Sequence, residues 1–171
     1  MKRGHPPVLA LHATSRGFGF VVMSGPFTLV DWGTRDFDKR RKVSCLAKVV
    51  SLIDRFDPHT LVLEDPHQLV TRSARVRRLY LAIAAVCHGR SIDVSVVSRA
   101  DVRRCYATVG ARTWQEIAEA VGRQLEPLKK LIPKRRKAWH SEMRGMAIFA
   151  AAAIAVVYWQ KIETTDGFNC L

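Results

Sequence analysis

The chain is short of acid. Fifteen Asp and Glu stand against 28 Lys and Arg in 171 residues, leaving a formal charge of +13. A deficit of that size points to a polyanionic partner, nucleic acid first and an anionic membrane surface second. Cysteine is also sparse. Cys45, Cys87, Cys105 and Cys170 are scattered without a Cys-x-x-Cys pair, which argues against a zinc site and for a reducing, cytoplasmic setting. The opening MKRGHPPVLAL has no long apolar core, so a signal peptide is not expected. One long apolar run exists, Gly145 to Trp159, with fifteen residues of which six are alanine. It is short against the roughly 20 residues of a span and reads as a buried helix, so no membrane partner is expected. Internal repeats and low-complexity linkers are absent. A single domain over residues 1–171 is expected, with its core at about 7–160 and a C-terminal tail at 162–171.

What is present begins with Val8 to Met23, VLALHATSRGFGFVVM. It alternates apolar with small or polar residues, breaks at Ser15-Arg16-Gly17 and resumes, the pattern of a strand, a tight turn and a strand paired back on the first. His12 is the last side chain before the turn signals. Phe27–Trp32 reads as a third strand, completing an antiparallel meander. Lys39–Phe56 has helical spacing and ends at Asp57-Pro58. Thr60–Glu64 (TLVLE) is a compact apolar run suited to a buried parallel strand and ends on the acids Glu64 and Asp65. Thr71–His88 reads as a helix, basic in its first half and apolar in its second. Ile92–Val97 is a fifth strand, and Asp101–Ala107 a short helix with Asp101 in its first turn and Gly110 closing it. Thr113–Leu125 is an amphipathic helix with Thr113 as N-cap and Glu116 at the capping-box position. Lys129–Lys137 holds six cations in nine residues around Pro133 and reads as a loop, and a last helix spans about Ser141 to Gln160. Three meander strands followed by two reached through helices give an α/β fold: a five-stranded mixed sheet, three strands antiparallel and then two parallel, flanked by helices. The ends of the first and fourth strands lie side by side in such a sheet, which brings His12 and Glu64 together.

This order is similar to the ribonuclease-H-like fold, and the residues resemble the RuvC-type Holliday-junction resolvases within it. The resemblance rests on Ala10 to Gly19 as the opening strand and turn, on Leu61-Val62-Leu63-Glu64 as the fourth strand with its terminal glutamate, and on Ala150-Ala151-Ala152-Ala153-Ile154-Ala155 in the place of the final-helix motif. Arg103, Gly110 and the helix at Thr113 resemble the family's basic segment before its penultimate helix. The resemblance implies a cluster of carboxylates holding two magnesium (or manganese) ions that activate water and stabilise the leaving oxygen in phosphodiester cleavage. It also implies a possible homodimer or a subunit of a larger nucleoprotein complex.

The sequence departs from that pattern at the metal positions. His12 stands at the first-strand aspartate position and Ala150 at the final-helix one, with Ala147 a turn earlier and Trp114 where a lysine is often found. Glu64 is retained, and Glu142 lies eight residues before Ala150, about 12 Å along a continuous helix. His12 reads as a packed, hydrogen-bonded histidine in a decayed site, its other reading being a ligand better suited to zinc or manganese than magnesium. Glu64 is either a surviving metal ligand or a strand-end carboxylate paired with a nearby arginine. Asp65 and Glu142 are expected in surface or capping contacts, Glu142 being a weak third ligand candidate. Small residues at 150–153 let a helix sit close on a sheet. The expected nucleic-acid contacts are Arg72, Arg75, Arg77, Arg78, Arg103, Lys129, Lys130, Lys134, Arg135, Arg136 and Lys137, with Trp139 and His140 beside the last group. Both basic clusters are expected on the side of the sheet that carries the site. Two functions follow: a protein that binds branched DNA, an R-loop or a single strand through a degenerate site, nucleoid-associated in the cytoplasm, or a working divergent endonuclease using His12, Glu64 and Glu142. A sugar-kinase or actin-like ATPase reading fails on chain length and on the lack of a phosphate-binding glycine loop.

Overall fold

The first strand and its return are as the alternation predicts. In the computed structural model, which describes residues 5–37, 44–65, 74–135 and 145–166, β1 (Val8–Ala13) pairs antiparallel with β2 (Gly17–Gly25), His12 opposite Gly19. The turn between them is closed by the Thr14 amide donating to the Gly17 carbonyl at 2.8 Å. The third strand, β3 (Thr28–Asp36), is longer than the sequence suggests and pairs with β2 as far as Gly17 opposite Asp36, with register shifts on either side of Met23. Its second half, Gly33-Thr34-Arg35-Asp36, lacks apolar alternation because β3 is an edge strand with little to bury. Helix α1 (Cys45–Phe56) follows, N-capped by Ser44 and ended by Asp57 in the left-handed region. Then come β4 (Thr60–Glu64), α2 (Ala74–Gly89), β5 (Asp93–Val97), α3 (Arg99–Ala107), α4 (Trp114–Gln124) and α5 (Met146–Asp166).

The strand order is β3-β2-β1-β4-β5, with β4 parallel to β1 and β5 parallel to β4. Period-two alternation sorts the sheet's side chains onto two faces. Val8, Ala10, Val21, Met23 and Val62 pack with α3, α4 and α5. Leu9, Leu11, Phe20, Val22, Leu61 and Leu63 pack with α1 and α2. His12 and Glu64 therefore belong to the α5 face.

Helix α5 justifies the reading of its alanines. Met146–Thr165 is long and apolar enough to cross a membrane by length and composition, yet 72% of its apolar window is buried inside the protein. Ala151, Ala152, Ala153 and Ala155 are fully buried. The helix starts later than Ser141 among the described residues and runs past Gln160 to Asp166, with the Thr165 hydroxyl donating back to the Lys161 carbonyl at 2.8 Å. Helix α4 has the expected cap: the Glu116 amide donates to Thr113 Oγ1, and the Thr113 amide donates to the Glu116 carboxylate. The segment expected as a loop at Lys129 instead begins inside a 3-10 helix, Glu126–Leu131. Pro127 favours its first turn, and Leu128 is buried under it, a contact the density of lysines hides. Arg72, Arg136, Lys137, Trp139, His140 and Glu142 lie outside the described residues.

Candidate functional site

The parallel register that sets Leu11 beside Leu63 carries on to place His12 beside Glu64 at the C-terminal ends of β1 and β4. The imidazole Nδ1 lies 3.4 Å from Glu64 Oε2. On the other oxygen, Arg99 Nε donates to Oε1 at 2.6 Å. His12 and Glu64 are buried, at 6% and 3% exposure, whereas the Arg99 side chain is 40% exposed. A carboxylate this deep in a protein is costly unless it is paired, and Glu64 has the Arg99 guanidinium on Oε1, with the His12 imidazole beside Oε2. Glu64 has the arginine partner that its strand-end reading expects.

Arg99 reaches the site through the topology. β5 ends with Val97 beside Glu64, and α3 opens two residues later. Ser98 caps α3: the Asp101 amide donates to its Oγ and its own amide donates to the Asp101 carboxylate, a reciprocal cap that fixes Arg99 as the first helical residue. Asp101 also accepts from Lys161 Nζ at 3.0 Å and from Arg104 at 3.1 Å. The Lys161 hydrogen bond, reinforced by the Ser98 contacts, holds its carboxyl below the ordinary aspartate value. Asp101 is thus the first-turn residue its position in the sequence suggests.

Ala147 and Ala150 are buried. Gly19, the partner of His12 across β1–β2, is approached so closely by α5 that a Cβ there would fall inside the backbone of Ala147. A two-magnesium centre requires several hard oxygen ligands. Among the described residues, the groups seen against Glu64 are the His12 imidazole and the Arg99 guanidinium, neither of them a hard oxygen ligand, and these do not fit two magnesium ions. No group of three or more His, Cys, Asp and Glu converges anywhere among the described residues.

The basic residues divide between the two faces. Arg75, Arg77 and Arg78 stand on α2, whose Val76 and Tyr80 pack under the α1/α2 face, so this cluster is at the site's end of the sheet but across it from His12 and Glu64. Tyr80 marks how close it comes, its hydroxyl accepting from the Ala13 amide at 2.9 Å. Arg75 lies over the Phe37 ring, 4.1 Å from its centroid. Arg75 and Arg78 also line a cleft of about 290 Å³ with Thr14, Ser15 and Ser44. The expectation that both clusters share the site's face therefore holds for one only. A crossover helix after a parallel strand can cover either face, and the sequence alone did not say which. Arg103 on α3 and Lys129 and Lys130 on the 3-10 helix are exposed and belong to elements packed on the α5 face. Lys134 is exposed, and Arg135 is committed to Glu119 through two hydrogen bonds of 3.0 and 3.1 Å. Trp114 is half-buried against the α5-side core. The residue that sequence reasoning missed is Arg99. Its signal was its position two residues past Val97, the β5 partner of Glu64.

No family model matches the chain, and no curated protein matches it. Solved structures do. The chain is similar to Thermus thermophilus RuvC in complex with a Holliday junction substrate, with a TM-score of 0.64 at 16% identity over 94% of this chain and 97% of that one. A second Thermus thermophilus RuvC structure gives a TM-score of 0.63 at 17% identity over 92% of this chain and 97% of that one. The Fowlpox virus resolvase in complex with Holliday junction DNA gives 0.53 at 11% identity over 90% and 99%. The fold is the RuvC-like form of the ribonuclease-H-like fold.

Proposed function

We propose that this chain is a RuvC-like nucleic-acid-binding protein with a degenerate metal-dependent endonuclease site, binding branched or single-stranded DNA or RNA as a homodimer or within a larger nucleoprotein complex. The observation that carries the reading is the pairing of Glu64, whose two oxygens face His12 and Arg99, with no cluster of acids around them among the described residues. The net charge of +13 favours a polyanion. The structural relatives are seen on junction DNA, which makes a four-way junction the first substrate to try.

The chemistry left to these residues is binding. Exposed arginines and lysines contact phosphates, and Arg75 over Phe37 offers a cation-aromatic platform to a base or sugar. Wild-type protein is incubated with four-way junction, R-loop and single-stranded substrates, in magnesium, in manganese and in chelator. The expected result is binding that survives chelator, with no strand cut. Cleavage that Glu64→Ala abolishes would establish the divergent endonuclease instead, and failure to bind any of the three would refute both.

A further inference from the structure

We propose that the Arg99 guanidinium takes over the charge a metal ion would supply beside Glu64 and grips one phosphate of the bound strand; this rests on the nucleic-acid reading above. Glu64 is 3% exposed, so it needs a positive neighbour wherever it is ionised. In a metal-loaded site the ion is that neighbour and also meets the phosphate. Among the described residues, Arg99 is such a neighbour. It binds Glu64 through Nε alone among the hydrogen bonds it makes to described residues. A guanidinium has five N–H donors in a fixed fork, so the four on its two terminal nitrogens remain to be satisfied. The side chain is 40% exposed above a carboxylate that is 4% exposed, which leaves solvent or a ligand to accept from them.

The fork is also held in place. Its backbone is pinned by the Ser98–Asp101 cap, and its stem by Glu64. The acid closest in sequence, Asp101, is already engaged by Lys161, Arg104 and the Ser98 amide. Arg103, one turn along the same side of α3 and exposed, adds a second cation to this face. A planar, pre-oriented donor pair beside a second positive charge is the arrangement that recognises a phosphodiester oxygen pair. Glu64 then orients the arginine but also opposes the phosphate. The two residues should therefore act on binding with opposite signs.

The test measures affinity for a four-way junction across a salt series. Glu64→Gln keeps an acceptor for Nε and removes the opposing charge, so it should bind as tightly as wild type or several-fold tighter. Adding Arg99→Gln to Glu64→Gln removes the grip without stranding a buried charge. That double variant should bind roughly tenfold more weakly than Glu64→Gln at low salt, and its log–log salt slope should be shallower by about 0.9, one phosphate contact on duplex. Equal affinity and slope in the two variants would overturn the proposal while leaving nucleic-acid binding intact. A wild type that binds nothing would instead refute the parent reading. Should the double variant not fold, wild-type protein decides: an arginine-specific dicarbonyl followed by peptide mass spectrometry should label Arg99 in the free protein and not in the complex. Arg99 labelled equally in both, while Arg75 or Arg103 is protected, would overturn it.

Discussion

Asp101 illustrates how much a single side chain ties together. One carboxylate caps α3 through Ser98, binds Arg104 on its own helix and reaches Lys161 on α5, so it joins the helix that presents Arg99 to the helix that fills the core. Its carboxyl is held below the ordinary value of 3.8, first by the Lys161 hydrogen bond. A depressed acid contributes stability that is fully present above its unfolded value and is lost as pH falls through the folded one. Asp101→Asn should therefore cost about 1 kcal/mol at neutral pH, and the gap to wild type should close as pH drops below about 3.8. Denaturant midpoints of the two proteins across an acid series measure this; parallel curves would show that Asp101 stays unlinked to protonation. Glu64 makes the complementary case. It is the one carboxylate buried in the sheet's end among the described residues, and its partners are the reason it is tolerated there.

At the scale of elements, the close seating of α5 on β2 organises the site. Gly19 has no side chain because Ala147 occupies that space, and the alanines that follow keep the helix axis near the sheet. Gly19→Ala should destabilise the protein by about 1–3 kcal/mol, since the new methyl must displace helix backbone rather than a flexible side chain. Gly89→Ala is the control: nothing lies within 4 Å of its Cβ position, and the change should be neutral or slightly stabilising. Similar thermal shifts in both would refute the tight seating. Much of this was legible beforehand. The alternation in Val8–Met23, the apolar run ending at Glu64, the Thr113–Glu116 cap and the alanine run each encode a local rule, and each is found. Arg99 was not legible, because its partner lies 35 residues away in sequence and only the parallel register of β4 and β5 brings them together. The 3-10 helix under Lys129 was missed for a related reason: one buried leucine among cations gives no period to read.

For the whole molecule, the decisive quantity is where the positive charge acts. The surplus of 13 positive charges is divided by the sheet: Arg75, Arg77 and Arg78 stand on the α1/α2 side, while Arg99, Arg103, Lys129 and Lys130 stand on the α5 side. A single duplex lying on one face would use one set. A branched substrate, or a strand wrapped around the end of the sheet, would use both. The log–log salt slope separates these cases, because each phosphate contact contributes about 0.9 on duplex. Neutralising Arg75, Arg77 and Arg78 to Gln removes up to three contacts, and so does neutralising Arg103, Lys129 and Lys130. With a four-way junction, each triple variant should flatten the slope by roughly 2 to 3, and combining them should add. With a short linear duplex, one triple variant should flatten the slope and the other should leave it near the wild-type value. Arg135, held by Glu119, should change little on either substrate when replaced by Gln. Equal effects of both triple variants on linear duplex would mean that charge acts as a diffuse field, and the assignment of two strand-contacting faces would fall.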